Sequence, residues 1–381
     1  MEAIIKDLSK PSPMNRLLQG DVGSGKTVVA AIAALVAAKV GKQTAFMAPT
    51  EVLARQHYKT LSSIFKNSGA GIGLITGSET RAFYGENLEE KIPRKKLLED
   101  IAIGKIKIII GTHALIAKGD TKEPVRFSDL ALAIVDEQHR FGVEQRAALS
   151  GTTIHFLSMS ATPIPRTLAL TLFGDLDVSV IDELPSGRKE IVTKVVAPTN
   201  RSKAYDFIKE HLRQGRQAFV ICPRIEAGKK EDEDGQPLGP KQLLWAEVKN
   251  VTEEYERLSK TVFPEFKLAM LHGRLKSSEK ARIMADFGAG NTHILVSTSV
   301  VEVGVDVPNA SIMMIEGADR FGLAQLYQFR GRVGRGEHQS YCLLFTDSGA
   351  DTTVILLNAL VNAKNGFELA EKDLAIRGPG E

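Results

Sequence analysis

Residues 20–27 read Gly-Asp-Val-Gly-Ser-Gly-Lys-Thr, which fits the pattern Gly-x4-Gly-Lys-Thr at every fixed position. A short strand-like stretch at 16–19 precedes this run, and an alanine-rich helical pattern over 25–39 follows it. A glycine turn between a strand and a helix directs backbone N–H groups toward phosphate oxygens, and the helix N-terminus adds partial positive charge. The sequence therefore predicts a phosphate-binding loop in an α/β fold.

The loop residues are assigned to a nucleoside triphosphate and its metal ion. Lys26 is expected to reach the β- and γ-phosphates, and Thr27 to offer its hydroxyl to Mg2+. ATP and Mg2+ are therefore the predicted cofactors. The residues assigned to the nucleotide are Gly20, Gly23, Ser24, Gly25, Lys26 and Thr27.

A second motif, Asp-Glu-Gln-His at 136–139, follows the apolar run 130–135. Mg2+ prefers hard oxygen ligands, so Asp136 is the predicted protein carboxylate at the metal. Glu137 is predicted to orient or deprotonate the attacking water. His139 is predicted to couple this site to Ser160 and Thr162, which follow the next apolar run; the alternative for His139 is a packed polar residue.

A third motif, Gln-Phe-Arg-Gly-Arg-Val-Gly-Arg, occupies residues 328–335. Arginines delivered to a transferred phosphoryl group stabilise its charge, and Arg332 and Arg335 are predicted to do so. Gln328 is predicted to couple this motif to the rest of the site. Because these residues are far in sequence from Lys26, the two halves of the chain are expected to face each other across a cleft that nucleotide binding closes.

The segment around Val305 is assigned to the ribose. Asp306 can accept a hydrogen bond from a ribose hydroxyl, and Gly304 allows a close approach. Both follow the strand pattern at 294–297.

Short apolar strands alternate with helical patterns along the whole chain, which predicts parallel sheets covered by helices on both faces. The predicted fold is α/β, with two tandem RecA-like doubly wound domains at 1–188 and 189–349. Residues 350–381 are predicted to form a short, truncated C-terminal helical extension. The helix at 25–39 is apolar nearly all round and is expected to be buried.

Composition restricts the class of protein. The 381 residues are 43% hydrophobic and 25% charged, and the formal net charge is +3, which is typical of a globular protein without a basic tail. The two cysteines, Cys222 and Cys342, lie in apolar runs and are expected to be buried thiols. No apolar stretch has membrane-spanning length, and the N-terminus lacks an apolar signal core, so a cytoplasmic protein without membrane contact is expected.

Small polar groups recur where strands or helices end in both halves of the chain. Hydroxyls and a guanidinium at such points suit contacts with phosphodiester groups, which position a nucleic acid without reading its sequence. Each is also an ordinary cap when taken alone. The residues assigned to DNA on this basis are Thr50, Thr112, Arg274 and Thr298.

The full motif order resembles that of superfamily 2 helicases and translocases. The runs at 136–143 (Asp-Glu-Gln-His-Arg-Phe-Gly-Val), 160–168 (Ser-Ala-Thr-Pro-Ile-Pro-Arg-Thr-Leu) and 330–336 are similar to those of the bacterial RecG family of branch-migration proteins. The related transcription-repair coupling factors usually carry glutamate at the position of Gln138. The resemblance extends over residues 14–381.

The resemblance implies an ATP-driven double-stranded DNA translocase for branch migration and stalled-fork reversal in recombination and repair. Forked or junction DNA is the implied partner, and a monomer is expected. RecG proteins also carry an N-terminal wedge domain with an OB-fold, and residues 366–381 look like the first part of the family's translocation motif. We therefore interpret the sequence as an isolated motor fragment with weak DNA-stimulated hydrolysis. The alternatives are a transcription-repair coupling translocase, an RNA helicase motor and a non-catalytic nucleic-acid docking module.

Overall fold

The computed structural model describes residues 1–21, 23–85, 89–112, 115, 124–136, 153–160, 176–181, 189–223, 250–298, 307–347, 351–363, 366, 368–369 and 372. The chain forms two compact units, Met1–Leu184 and Pro185–Glu381. The three domain ranges expected from the sequence stay predictions.

The first unit is built on a mostly parallel sheet whose described strands follow the order β5-β4-β3-β6-β2-β7-β8-β1-β9. Neighbouring strands are parallel except at one edge, where β4 pairs antiparallel with both β3 and β5. The strands are β1 Asn15–Gly20, β2 Gln43–Met47, β3 Gly71–Ile75, β4 Thr80–Phe83, β5 Glu89–Lys91, β6 Ile106–Gly111, β7 Leu130–Val135, β8 His155–Ser160 and β9 Asp177–Ile181.

The centre of this sheet is buried on both faces, as its β-branched sequence requires. Ile106, Ile108, Ile109 and Ile110 of β6 are all fully buried. The described helices of the unit are α1 Glu2–Leu8, α2 Lys26–Lys39, α3 Glu51–Ile64 and α4 Arg94–Ala102.

Helix α2 differs from the sequence prediction of an all-round buried helix. Its alanines at 30, 31, 33, 34 and 37 are buried, but Val28 and Ile32 are 48% and 37% exposed. A helix in the outer layer of a sheet packs only one side against the strands, so apolar residues on its other side stay at the surface whatever their type.

The second unit contains a parallel sheet with the strand order β10-β15-β14-β11-β13-β12 among the described residues. Its strands are β10 Val192–Val196, β11 Gln217–Ile221, β12 Leu268–Leu271, β13 Ile294–Ser297, β14 Ala310–Ile315 and β15 Tyr341–Phe345. Its helices are α5 Arg201–Arg213, α6 at residues 250–257, α7 Ser277–Gly288, α8 Leu323–Arg330 and α9 Asp351–Asn362. Helix α6 continues into a π-helical turn at Leu258–Val262.

Two apolar clusters form the core of the second unit, one on each face of its sheet. Phe219 and Phe329 belong to one cluster, and Val220 and Phe345 belong to the other. Adjacent residues of β11 thus point to opposite faces, as in any strand. Both faces are buried, and the predicted α/β architecture of two parallel-sheet domains with a C-terminal helix is confirmed.

Both cysteines are buried free thiols, as expected from their sequence context. Burial raises the pKa of Cys342 to about 12, which keeps this thiol protonated and unreactive. In the part of the chain that the structure describes, no helix is both long and apolar enough to cross a membrane.

Candidate nucleotide-binding site

The phosphate-binding loop connects β1 to α2, as the glycine motif predicts. Gly23 and Gly25 adopt φ angles of 80° and 96°, a region that L-residues with side chains rarely occupy. The loop is narrowed by a hydrogen bond from the N–H of Ser24 to the carbonyl of Asp21, at 3.0 Å. A side chain at Gly20 is excluded because its Cβ would lie 2.5 Å from Oγ of Ser24.

The side chain of Lys26 folds back and forms hydrogen bonds with the start of its own loop. Its Nζ donates to the carbonyl oxygens of Gly20, at 2.6 Å, and of Asp21, at 2.8 Å. An ammonium group needs acceptors, and phosphate oxygens can take the place of these carbonyls when a nucleotide enters the loop. The side chain is therefore already placed at the turn where the phosphates are predicted.

Two further observations fit the binding of a phosphate group and its metal ion at this loop. The buried Oγ of Ser24 has no hydrogen-bond partner among the described residues, which is unusual for a buried hydroxyl. Thr27 occupies the first turn of α2 and is half-buried, with no acidic residue beside it in that turn. The helix N-terminus is therefore open to an anion and carries no competing negative charge.

Asp136 lies directly after β7, at the same edge of the sheet as the phosphate loop. The order β7-β8-β1 is parallel throughout, so the carboxyl ends of all three strands meet at this edge. The buried Ser160 ends β8 and pairs in register with Gln19 of β1, one residue before Gly20. The structure thus brings Asp136, Ser160 and the loop to one edge, as parallel strands require.

The carboxylate of Asp136 is held by a residue that our sequence analysis did not assign. Its Oδ2 lies 2.8 Å from Nε2 of His57, a buried residue of α3, and its backbone N–H donates to the carbonyl of Met47 at 2.9 Å. The His57 ring packs against Phe46 with 4.7 Å between ring centroids. The only sequence signal was a histidine within the apolar face of a helix, a pattern that usually indicates core packing.

The residues available for a metal ion are few. In the described part of the chain, no group of three or more His, Cys, Asp or Glu side chains is suited to a metal. Mg2+ commonly binds one or two protein oxygens together with substrate phosphates and water, and Thr27 and Asp136 fit that donor set. Five assigned residues lie outside the described residues: Glu137, His139, Thr162, Gly304 and Asp306.

The arginine motif of the second unit follows α8. Arg332 is buried, Arg335 is half-buried, and Gly334 between them has a φ of 79°. The buried side chain of Val333 fixes the turn in the core. The predicted coupling residue Gln328 is also buried, in α8 itself.

Arg330 belongs to the packing of this unit. Its Nη1 donates to the carbonyl of Leu360 at 2.9 Å, and its guanidinium lies over the ring of Tyr327, 4.6 Å from the centroid. Leu360 is in α9, so Arg330 joins α8 to the C-terminal helix.

The residues assigned to DNA have different environments. Thr50 is the N-cap of α3, where Oγ1 accepts from the N–H of Leu53 at 3.4 Å, and Thr112 is half-buried at the end of β6. Arg274 is exposed after β12, and burial together with nearby Lys280 and Arg274 lowers the pKa of His272 in the same turn. The carboxylate of Glu279 acts on the His272 pKa in the opposite direction.

Thr298 is the least accessible of the four. It is fully buried after β13, and its hydroxyl has no hydrogen-bond partner among the described residues. Its assignment to DNA, like those of the other three residues, stays a prediction.

Comparisons with known proteins give the family. The DEAD/DEAH box helicase model matches residues 2–171, and the helicase conserved C-terminal domain model matches residues 202–337. The ATP-dependent DNA helicase RecG of Synechocystis sp. is 50% identical over 380 residues, which are 99% of this chain and 42% of that protein. The Bacillus subtilis RecG helicase is 48% identical over 383 residues, which are 100% of this chain and 52% of that protein.

A solved structure is similar over the same length. The structure of RecG bound to a three-way DNA junction has a TM-score of 0.78 and 42% sequence identity, and the match covers 100% of this chain and 46% of that one. The chain spans about half the length of the curated relatives it matches. Two helicase models match in tandem, and the sequence identity to RecG helicases is high across the whole chain. This chain therefore belongs to the RecG-type helicases of superfamily 2.

Proposed function

We propose that this chain is the ATP-hydrolysing motor of a double-stranded DNA translocase for branch migration and fork reversal in recombination and repair. The observation that carries the proposal is a phosphate loop in which Lys26 is hydrogen-bonded to the carbonyl of Gly20, at the same sheet edge as Asp136. The related RecG solved with a three-way DNA junction supports the choice of forked or junction DNA as the partner.

In this proposal the loop binds ATP–Mg2+. Lys26 would exchange the carbonyls of Gly20 and Asp21 for phosphate oxygens, and Thr27 and Asp136 would hold the metal ion. Mg2+ bound there would neutralise charge on the β- and γ-phosphates. Glu137 orients the attacking water, and Arg332 and Arg335 stabilise the charge that develops on the transferred group.

DNA is contacted mainly through its backbone, with Thr50, Thr112 and Arg274 as the accessible candidates. We also propose a cytoplasmic monomer. The domain limits of 1–188, 189–349 and 350–381 are part of the same proposal.

The test is phosphate release from ATP with and without forked DNA. We expect Mg2+-dependent hydrolysis that forked DNA stimulates more than an RNA of the same sequence. Lys26→Ala should lower the rate by roughly 100-fold or more, as expected for loss of a group that stabilises transferred charge. Its melting temperature should change little, because the hydrogen bonds of the Lys26 ammonium go to carbonyls of its own loop and not to the core of the unit.

Three outcomes would contradict the proposal in different ways. Stronger stimulation by RNA would favour an RNA helicase. Phosphate release that Lys26→Ala leaves unchanged would favour a non-catalytic docking module. Hydrolysis that is independent of Mg2+ would remove the assigned metal chemistry.

A further inference from the structure

The contact between His57 and Asp136 joins two regions that the sequence assigns to different tasks. Asp136 is the proposed carboxylate at Mg2+, whereas the N-cap of α3 is Thr50, a proposed DNA contact. His57 is two turns into α3 and lies 2.8 Å from Oδ2 of Asp136. The two residues are 79 positions apart, so the contact depends on the fold and not on local sequence.

The orientation of this hydrogen bond follows from chemistry. An ionised carboxylate can only accept, so Nε2 of His57 must carry the hydrogen and donate it. The imidazole is buried and tilted against the fully buried Phe46 at 4.7 Å, which limits its rotation. Asp136 is further restrained because its backbone N–H donates to Met47. Its carboxylate is therefore oriented by α3, and its backbone by β2.

Helix α3 is well placed to transmit a displacement. Its buried stripe packs on the sheet and consists of Leu53, Ala54, His57, Tyr58, Leu61 and Ser62. Its first turn is tied to the turn after β3, where Glu51 accepts from the N–H of Gly77 at 2.9 Å and from Oγ of Ser78 at 2.6 Å. Thr50 and His57 are separated by roughly 10 Å along the helix axis. Shifts of whole helices are one way in which proteins couple distant sites, and such a shift of α3 would carry a displacement from its N-terminus to His57.

We propose that His57 is a positioning residue, which orients Asp136 for Mg2+ and links that carboxylate to the N-terminus of α3, where Thr50 is the proposed DNA contact. This inference rests on the proposed function, because it takes Asp136 as a ligand of the nucleotide-bound metal. Partners that orient metal ligands typically change metal affinity or activity by 10- to 100-fold when they are lost. His57 is such a partner, because it is buried and its Nε2 lies 2.8 Å from the carboxylate of Asp136.

The first test measures binding and not turnover. Calorimetric titration of ADP into the full chain gives the dissociation constant in MgCl2 and in EDTA. We expect His57→Leu to reduce the Mg2+-dependent gain in ADP affinity by roughly 10-fold or more, with the affinity in EDTA unchanged. His57→Gln, whose amide can still donate, should recover most of the gain. An equal loss in MgCl2 and EDTA, or an unchanged gain, overturns the positioning role.

The second test concerns the link to DNA. We expect the ratio of hydrolysis with and without forked DNA to fall in His57→Leu and to recover in His57→Gln. A ratio that stays at the wild-type value in His57→Leu overturns the link to α3. Tyr58→Phe is the matched control, because Tyr58 is the adjacent buried residue of the same helix and its ring is retained.

Asp136→Asn separates this inference from the proposed function. If Asp136→Asn leaves the Mg2+-dependent gain unchanged, the metal assignment itself is wrong. If Asp136→Asn abolishes the gain while His57→Leu does not, only the role of His57 is wrong. Should His57→Leu fail to fold, His57→Gln compared with His57→Asn still decides the question, since the shorter amide of asparagine cannot reach as far.

Discussion

Nη2 of Arg16 lies 2.6 Å from Oδ2 of Asp7, and both side chains are almost entirely buried. Nε of Arg16 donates to the same oxygen at 2.8 Å, and Nη1 donates to Oγ of Ser179 in β9. Arg16 is the second residue of β1, the strand that leads into the phosphate loop. The ion pair therefore fixes α1 to the strand on which the proposed nucleotide site depends.

Removal of Arg16 should destabilise the first unit. Arg16→Met leaves the buried Asp7 with Lys10 as its remaining cationic partner, and breaking a buried pair in this way costs roughly 3–5 kcal/mol. The measurement is the calorimetric unfolding transition of the unit. Lys10→Met is the control, because the Lys10 side chain is half exposed and its removal leaves Asp7 with its buried partner Arg16, so the loss of stability should be smaller. Equal effects of the two substitutions would contradict the prediction.

A second prediction concerns pH and the histidine at the start of β8. Nδ1 of His155 accepts from the N–H of Met14 at 3.0 Å, which requires the neutral ring. Burial lowers the pKa of His155 below its ordinary value of 6.5, although the charge of Asp7 acts in the opposite direction. The stabilisation from neutral His155 is therefore complete above pH 6.5 and is lost as the pH falls through the lower pKa of the folded state.

His155→Asn isolates this effect, because asparagine keeps an acceptor near Nδ1 and does not titrate. We expect the melting temperature of the wild type to fall more than that of His155→Asn between pH 7 and pH 5. Around pH 8 the difference between the two melting temperatures should no longer depend on pH. Parallel melting curves over the whole range would contradict the prediction.

Sequence patterns revealed the two motifs of the first unit but not the strands at one edge of its sheet. The glycine loop and the acidic motif after β7 each carry recognisable chemistry and each follow a strand. Their chemical roles could therefore be predicted, and so could the edge of the sheet at which they lie. Strands β4 and β5 were missed because they are short and polar: all three residues of β5 are exposed, and their pairing is antiparallel at a sheet edge. Such strands carry neither a buried apolar run nor a clear alternation.

The site was predicted only as far as local motifs extend. Asp136 could be assigned from the residues before it, but its hydrogen bond to His57 could not, since that bond depends on how α3 packs on the sheet. Arg330 lies in the same arginine-rich motif as Arg332 and Arg335, yet its guanidinium is bound to α9. Residue type and spacing do not distinguish these cases, because tertiary packing decides them.

The glycines of the phosphate loop allow a third prediction. Gly25 has a φ of 96° and open space around a would-be Cβ, so Gly25→Ala costs about 1–2 kcal/mol of backbone strain without a collision. We expect ADP–Mg2+ to bind roughly 10-fold more weakly, since 1.4 kcal/mol corresponds to a factor of 10. Gly20→Ala should be more severe, because its Cβ would meet Ser24 and the carbonyl of Ile181.

Gly41→Ala is the matched control for this strain. Gly41 has a φ of 80° and equally open surroundings, but it follows the C-terminal end of α2. It should lower stability by a similar amount and leave ADP affinity at the wild-type value. A comparable loss of ADP affinity in Gly41→Ala would show that general destabilisation, and not loop geometry, is responsible.

A fourth prediction addresses the contact between α8 and α9. Arg330→Met removes a charged donor from the carbonyls of Leu360 and Ala363, which costs roughly 1.5–3 kcal/mol. Amide hydrogen exchange in α9 should accelerate, while exchange in the β11 strand should change little. Arg213→Met is the control, since Arg213 forms an exposed ion pair with Glu265. Unchanged exchange in α9 would contradict the structural role of Arg330.

The last prediction tests the proposed DNA contact at the exposed turn after β12. If Arg274 neutralises a phosphate, Arg274→Ala weakens binding to forked duplexes of any sequence and reduces the slope of log K against log salt concentration by about 0.9. Arg282→Ala is a charge-matched control, because Arg282 is also exposed and lies nearby in α7. Fluorescence anisotropy with forked DNA between 50 and 200 mM KCl, about the range in which such contacts dominate affinity, measures both quantities. Equal slopes for the two variants would mean that Arg274 contributes only to the net charge of the unit and does not contact the DNA backbone.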